Sequence, residues 1–350
     1  MGGPMEIAGR LIGAGQPCFI IAEAGVNHNG DLALAKRLVD AAVSAGADAV
    51  KFQTFKAERL ASPSAPKAAY QLQTTDRGES QREMLRRLEL SEAVHRMLME
   101  YCAARSILFL STPFEEASAD FLERLGVCAF KMPSGELTNL PVLAHVARKG
   151  RPMIVSTGMA TLAEVEQAVR TIRRAENDQV VLLHCVSDYP ADPSDANLRA
   201  MHTMAEAFNV PVGYSDHTLG LEVALAAVAL GARVIEKHFT LDRTLPGPDH
   251  RASLEPDELC RLVQGVRTVE AALGDGRKAP VPREANTAAV ARKSLVAATH
   301  IPSGTRLTNH LLSLKRPGTG LPSSMMAQII GRIAVHDIPA ETVLTMEMFR

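Results

Sequence analysis

The feature that most constrains the fold is a repeat of pattern rather than of sequence. A short apolar run ends in polar side chains and is followed by a helix-spaced segment, eight times before residue 273. The runs are CFIIAE (18–23), AVKFQT (49–54), ILFLSTPF (107–114), CAFKMPSGE (128–136), PMIVSTGM (152–159), VVLLHCVSDYP (180–190), VPVGYSDHT (210–218) and ARVIEKHFT (232–240). Their hydrophobicity is mostly continuous rather than alternating, which marks strands covered on both faces. Between them lie helical patterns, the clearest over 161–174. There Thr161 and Glu164 make a capping-box signature, and Leu162, Val165, Val169 and Ile172 form one apolar face. Strict strand–helix alternation requires a parallel sheet, and eight repeats in about 270 residues are the length of a (β/α)8 TIM barrel. Residues 55–80 are a long polar excursion and a candidate lid.

In such a barrel the C-terminal ends of the strands converge on one face, where active sites sit. The polar groups at those ends are Glu23, Lys51 with Gln53, Ser111 with Thr112, Lys131 with Ser134 and Glu136, Ser156 with Thr157, Ser187 with Tyr189, Ser215 with His217, and Glu236 with His238. One such residue is readily explained as a cap. Eight strands in phase point to a site.

The domain plan is a barrel over 1–273, a linker rich in Gly, Pro and charge over 274–288, and a small unit over 289–350. The short elements of that unit are punctuated by Gly and Pro. About 60 residues give a marginal core alone, so the unit is expected to dock onto something. The net formal charge of −1 provides no global field for nucleic acid or an anionic membrane, and the absence of Trp argues against a base-stacking platform. Five widely spaced cysteines without CxxC suggest neither a disulfide framework nor a zinc knuckle and fit a reducing cytoplasm. No stretch reads as a membrane span or an export signal.

His217 and His238 fall on consecutive strands, about 4.8 Å apart, so their imidazoles can share one divalent ion. Two ligands leave open positions for water and substrate, as a Lewis-acid site requires, and imidazole suits a first-row transition metal better than Mg²⁺ alone. Glu236 shares a strand face with His238, and Glu23, Glu236 and Glu136 can divide acid, base and binding roles. Lys51 and Lys131 need anionic company. With Ser134, Ser156, Ser187 and Ser215, and without a Walker pattern, they suggest a small phosphorylated carboxylate rather than a nucleotide. His184 and Cys185 read as packing, and His28 is balanced between turn chemistry and substrate contact.

The motifs IAEAGVNHNGDLALAK, AVKFQTFKAERL, FLSTPF, FKMPSGELTNLP, IVSTGMAT, LLHCVSDYP, GYSDHT, VIEKHFTLD and GPDHRASLEPDEL resemble the sialic acid synthase family over nearly the whole chain. The C-terminal unit, with KRPG, is similar to the antifreeze-like SAF domain. The resemblance implies condensation of phosphoenolpyruvate with an N-acylated amino sugar, releasing phosphate by C–O cleavage. It implies a divalent metal, Mn²⁺ first and Mg²⁺ or Co²⁺ as alternatives, on His217 and His238. It places phosphoenolpyruvate on Lys51, Thr112, Lys131, Ser134, Ser156, Ser187, Tyr189 and Ser215, and Glu136 is expected beside them. The sugar falls on Gln53, Tyr189, Asp249 and Arg316, and Glu23 and Glu236 with the two lysines form the catalytic group. It further implies a domain-swapped homodimer in which Arg316 reaches the partner's sugar. The expected activity is N-acetylneuraminate synthesis from N-acetylmannosamine. The alternatives are a legionaminic acid synthase acting on a 2,4-diacetamido-trideoxy sugar and, remotely, a non-catalytic carbohydrate-binding protein.

Overall fold

The computed structural model describes residues 3–350, which divide into two compact units, one ending at Gly274 and the other Asp275–Arg350. The first contains eight parallel strands: β1 (Phe19–Gly25), β2 (Ala49–Thr54), β3 (Leu108–Pro113), β4 (Phe130–Met132), β5 (Met153–Ser156), β6 (Val180–Cys185), β7 (Val212–Asp216) and β8 (Val234–His238). The spatial order is β3-β2-β1-β8-β7-β6-β5-β4, and β3 and β4 at the two ends of the sheet pack side by side, so the sheet curls into a nearly closed barrel. Helices separate the strands, as the alternation requires. The capping box at Thr161 is present: Glu164 N donates to Thr161 Oγ1 at 3.3 Å, and Thr161 N donates to Glu164 Oε2 at 2.7 Å.

The core lies in two layers. Residues pointing out of the barrel, such as Ile20, Ala22, Val50 and Ile235, pack under the helices. Those pointing in at the N-terminal end, such as Phe19, Ile21, Leu110, Ile154, Val181 and Val234, fill the barrel itself. That floor is sealed by a hairpin that the apolar-run pattern does not reveal, Met5–Ile7 against Arg10–Ile12. Its two-residue turn, Ala8-Gly9, has φ of 49° and 81°, the left-handed pair that a tight hairpin needs.

The excursion after β2 is less irregular than its polarity suggested. It holds short helices Ala57–Leu60 and Gln71–Thr74. Lys67, fully buried, staples it: its Nζ donates to Thr75 Oγ1 (2.9 Å), Asp76 O (2.6 Å) and Glu79 Oε1 (2.7 Å). Helix Gln81–Leu88 follows, with a capping box at Ser80.

In the second unit, Ser294–Ala297 pairs antiparallel with Leu312–Lys315 around a small core that includes Leu295, Ile301, Leu307, Ile329, Ile338 and Leu344. Part of the stretch read as linker is helical, over Ala285–Ala291. Its ANTAAVA composition favours helix, and Glu284 accepts from Val281 N at 2.9 Å at the turn before it.

Candidate functional site

The strand ends open into one cavity of about 420 Å³ within the barrel unit. Its floor is a charge cluster. Lys51 Nζ on β2 donates to Thr112 Oγ1 at 3.0 Å and lies 3.2 Å from Glu23 Oε2 and 3.3 Å from Glu236 Oε2. Lys131 Nζ on β4 donates to Ser156 Oγ at 2.7 Å and lies 3.5 Å from Glu236 Oε1, which also accepts from Ser215 Oγ at 3.1 Å. The two carboxylate oxygens facing Lys51 have no partner in hydrogen-bond geometry among the described residues, so the pairing there is ionic rather than directional.

These four groups are almost wholly buried, and their titration follows from that. Burial raises the Glu23 carboxyl; Lys51 pulls it down, Glu236 pushes it up again, and it settles at about 8. Burial also pushes Glu236 up, but the Lys131 and Lys51 ammoniums outweigh it and hold that carboxylate ionised. One neutral carboxyl and one carboxylate therefore face two lysines near neutral pH. Separated carboxyls of this kind can serve as acid and base.

Beside the cluster stand the two histidines, with ring centroids 5.6 Å apart. His217 Nδ1 is 2.6 Å from Val186 O, and a carbonyl only accepts, so Nδ1 carries the proton and Nε2 keeps its lone pair. Burial lowers His217 to about 4 and His238 well below the usual histidine range, so both rings are neutral. His238 Nδ1 is buried with no hydrogen-bond partner among the described residues, and Asp249 Oδ2 lies 4.0 Å away. Gly25, at φ 52° and beside a register irregularity in β1, keeps a slot open. A Cβ there would come within 3.3–3.5 Å of Glu23 Oε1, His238 Cε1 and Gln53 Nε2.

The hydroxyls and the aromatic ring complete the cavity. Ser134 Oγ lies 3.1 Å from Cys185 Sγ and accepts from Gly158 N at 3.0 Å. Gly158 has no room for a side chain: a Cβ would meet the side-chain oxygens of Ser187 and Ser134 and the Cys185 sulfur. Tyr189 lies over His217 at 4.1 Å between centroids, and Tyr70, from the excursion, lies against Tyr189 at 5.0 Å.

Of the residues singled out on the strand ends, Ser111, Glu136 and Thr157 do not line the cavity: Ser111 Oγ pairs with Thr54 Oγ1 at 2.7 Å and Thr157 Oγ1 donates to Leu183 O at 3.0 Å. Glu136 is outside the cavity lining, half-buried, with its carboxylate taken by Asn139 Nδ2 at 2.7 Å. The 3-10 turn Ser134–Glu136 sends Ser134 inward and leaves Glu136 beside its own helix. Arg316 belongs to the second unit, where it is exposed and donates to Ala291 O at 3.1 Å. His184 donates to Ala196 O at 2.8 Å from Nε2 and does not line the cavity. His28 does not line it either; its Nδ1 accepts from Gly30 N at 2.9 Å, which makes it a turn residue. Conversely Cys185, read as packing, lines the cavity, as do Tyr70 and an apolar group, Val26, Leu60, Met84, Leu85, Leu88 and Phe114.

Two family models cover this arrangement: the NeuB family matches residues 38–278 and the SAF domain residues 292–350. The chain belongs to the NeuB family. It is 49% identical to the N,N'-diacetyllegionaminic acid synthase of Legionella pneumophila, over 99% of each chain. It is 48% identical to the N,N'-diacetyllegionaminic acid synthase of Campylobacter jejuni, over 91% of this chain and 96% of that one. Among solved structures, the N-acetylneuraminic acid synthetase of Leptospira borgpetersenii in complex with citrate aligns with a TM-score of 0.73 at 37% identity, over 82% of this chain and 95% of that one. The TIM-like barrel, the SAF domain and the sialic and legionaminic acid synthase family expected from the sequence are therefore in place. Among the described residues no helix is long and apolar enough to cross a membrane.

Proposed function

We propose that this NeuB-family chain condenses phosphoenolpyruvate with an open-chain N-acylated amino sugar, releasing phosphate and a nonulosonic acid. The observation that carries the reading is the floor of the cavity. Lys51 and Lys131 lie against Glu23 and Glu236 there, ringed by Thr112, Ser156 and Ser215. A small dianion with a carboxylate would replace the glutamates as partners of the lysines and take the hydroxyls as donors. Both substrates fixed on one rigid rim would lose much of the entropic barrier to meeting, ~7 kcal/mol or more.

The sugar we assign is a 2,4-diacetamido-2,4,6-trideoxymannose, with N-acetylmannosamine as the second reading. The first is supported by 49% identity over 99% of the chain to a relative named for the legionaminic product. The second is supported by a structural likeness at 37% identity to a protein named for the neuraminic one. A non-catalytic carbohydrate-binding role has no support in a cavity built on buried lysines and glutamates.

The residues fit a divalent ion, Mn²⁺ first. Two neutral imidazoles stand 5.6 Å apart between centroids, His217 with a fixed tautomer and His238, which borders the Gly25 slot, with an orphaned nitrogen. No third His, Cys, Asp or Glu joins them among the described residues, so water or substrate would supply the other ligands. When bound, the ion would polarise the sugar's aldehyde oxygen. C3 of phosphoenolpyruvate then attacks the aldehyde carbon, forming the new C–C bond. The Glu23 carboxyl, protonated near neutral pH, donates toward the aldehyde oxygen. Positive character at C2 is met by water, Glu236 accepts the proton from that water, and the C2–O bond to phosphate breaks. Lys51 and Lys131 hold the departing phosphate.

By the family's pattern the active form is a domain-swapped homodimer working in the cytoplasm, with Arg316 of one subunit contacting the sugar held by the other. A single assay tests the reading: phosphate release from phosphoenolpyruvate with each sugar, after EDTA treatment and after adding back Mn²⁺. Sugar-dependent release that EDTA abolishes and Mn²⁺ restores is expected, and no sugar-dependent release under any condition sinks the reading. In the same assay Arg316→Ala should raise the sugar KM and leave the phosphoenolpyruvate KM unchanged; an unchanged sugar KM and kcat would remove Arg316 from the site.

A further inference from the structure

Three carboxylates line the cavity, Glu23, Glu236 and Asp249, and one of them stands alone. Glu23 and Glu236 lie against lysines, whereas Asp249 meets no Lys or Arg among the described residues, and no group there donates a hydrogen bond to its carboxylate. Its Oδ2 comes only to 4.0 Å from His238 Nδ1. Buried acceptors without a protein donor are costly unless a ligand supplies the donors, and a polyol has hydroxyls to give. Asp249 stands on the loop 239–254 after β8, which is exposed or half-buried over 241–247. A surface loop of that length places a side chain well only where something ties it down.

The tie comes from NHNG (27–30), the turn after β1. Asn27 Nδ2 donates to Phe239 O at 2.8 Å and to Ser253 Oγ at 2.9 Å, near the two ends of the loop. A carbonyl only accepts, so Phe239 O fixes the orientation of the amide. With that amide donating to it, the Ser253 hydroxyl keeps its single proton for Asp249 O, at 2.7 Å. A chain of hydrogen bonds therefore runs from Asn27 through Ser253 to the backbone of Asp249, and Asn27 and Ser253 are each only 1% exposed. The same turn makes a second contact, Asn29 Oδ1 with His250 Nε2 at 3.4 Å, and His250 Nδ1 lies 2.6 Å from Thr240 Oγ1. Gly247 leaves room for it: a Cβ there would stand 2.8 Å from His250 Cδ2 and 3.0 Å from Asn29 Oδ1.

We propose that Asn27 and Ser253 are positioning residues: they clamp the loop after β8 so that the Asp249 carboxylate faces the cavity and receives hydroxyls of the sugar. Neither lines the cavity, so they act through Asp249 and touch no substrate themselves. The inference rests on the reading of the cavity as a condensing site for phosphoenolpyruvate and an amino sugar. It is the same for either of the two sugars.

The test is Ser253→Ala, which removes the proton given to Asp249 O and little else. In the phosphate-release assay, with the better of the two sugars, the sugar KM should rise about 10-fold with the phosphoenolpyruvate KM unchanged. Asn27→Ala provides a second, independent variant should the first lose its fold. A general loosening of the barrel would move both constants, so a cycle with Asp249→Ala isolates the positioning. In that background Ser253→Ala should change the sugar KM by less than about 2-fold, because the carboxylate it places is gone. An unchanged sugar KM in a folded single variant, a matching rise in the phosphoenolpyruvate KM, or the full loss repeated in the Asp249→Ala background would overturn the clamp while leaving the condensation reading intact. If the wild type releases no phosphate with either sugar, it is the condensation reading that fails. Calorimetric titration of both sugars into wild type and Ser253→Ala, each saturated with phosphoenolpyruvate, then decides the clamp: weaker binding to the variant supports it, and equal binding, or none to either protein, overturns it.

Discussion

At the scale of single residues, the cavity floor separates two chemically identical carboxyls by environment. Glu236 lies between two ammoniums and stays ionised, whereas Glu23 is raised to about 8, burial being the largest cause. This makes a thermodynamic prediction with a definite sign. A carboxyl whose folded pKa stands above its ordinary 4.5 binds its proton more tightly in the folded state. Its contribution to stability is fully present below 4.5 and drains away as pH rises toward 8. Glu23→Gln is neutral at every pH and escapes that loss. The Tm of the variant minus that of the wild type should therefore grow between pH 5 and pH 8 in scanning calorimetry. A difference that stays flat across that interval would mean Glu23 is ionised throughout.

At the scale of elements, β7 and β8 carry the histidines, and the register between them is locked from the helix side. Lys237 Nζ donates to Asp216 Oδ2 at 2.6 Å and to Thr218 O at 2.5 Å, and neither charged side chain is exposed. Asp216 Oδ1 in turn accepts from Thr218 N and Oγ1, at 2.9 and 2.8 Å, which fixes the loop directly after His217. Lys237→Met would strand a buried carboxylate and should cost about 3–5 kcal/mol in denaturant unfolding. Adding Asp216→Asn, which keeps an acceptor for Thr218 and removes the charge, should recover a large part of that loss. A single variant as stable as wild type would show the pair to be dispensable.

Much of this level was legible in the sequence, for a reason the elements themselves supply. Continuous apolar runs such as VVLLHC and VIEKH are buried on both faces, so their hydrophobicity reports strand position directly. Their terminal polar groups had nowhere else to go. The hairpin Met5–Ile7/Arg10–Ile12 was not legible because three-residue strands leave too short an alternation to read. That Glu136 falls outside the cavity lining was not legible, because the strand period stops at Met132 and a 3-10 turn redirects the chain beyond it. Leu85 was readable as helical, but no local pattern says that an amphipathic face will border a cavity rather than a core.

At the scale of the whole molecule, the barrel unit and the SAF unit each have their own core. The barrel gathers nearly every chemically suggestive side chain onto one rim, and the reaction we assign would run on that rim with one divalent ion and two substrates. The most direct test follows the bond that breaks. Phosphoenolpyruvate carrying heavy oxygen in its C2–O–P bridge is turned over with the diacetamido-trideoxy sugar and Mn²⁺, and both products are weighed by mass spectrometry. The account predicts heavy oxygen in the released phosphate and a nine-carbon acid bearing solvent oxygen at C2. Unlabelled phosphate, or phosphate released without a sugar-derived acid, would contradict it.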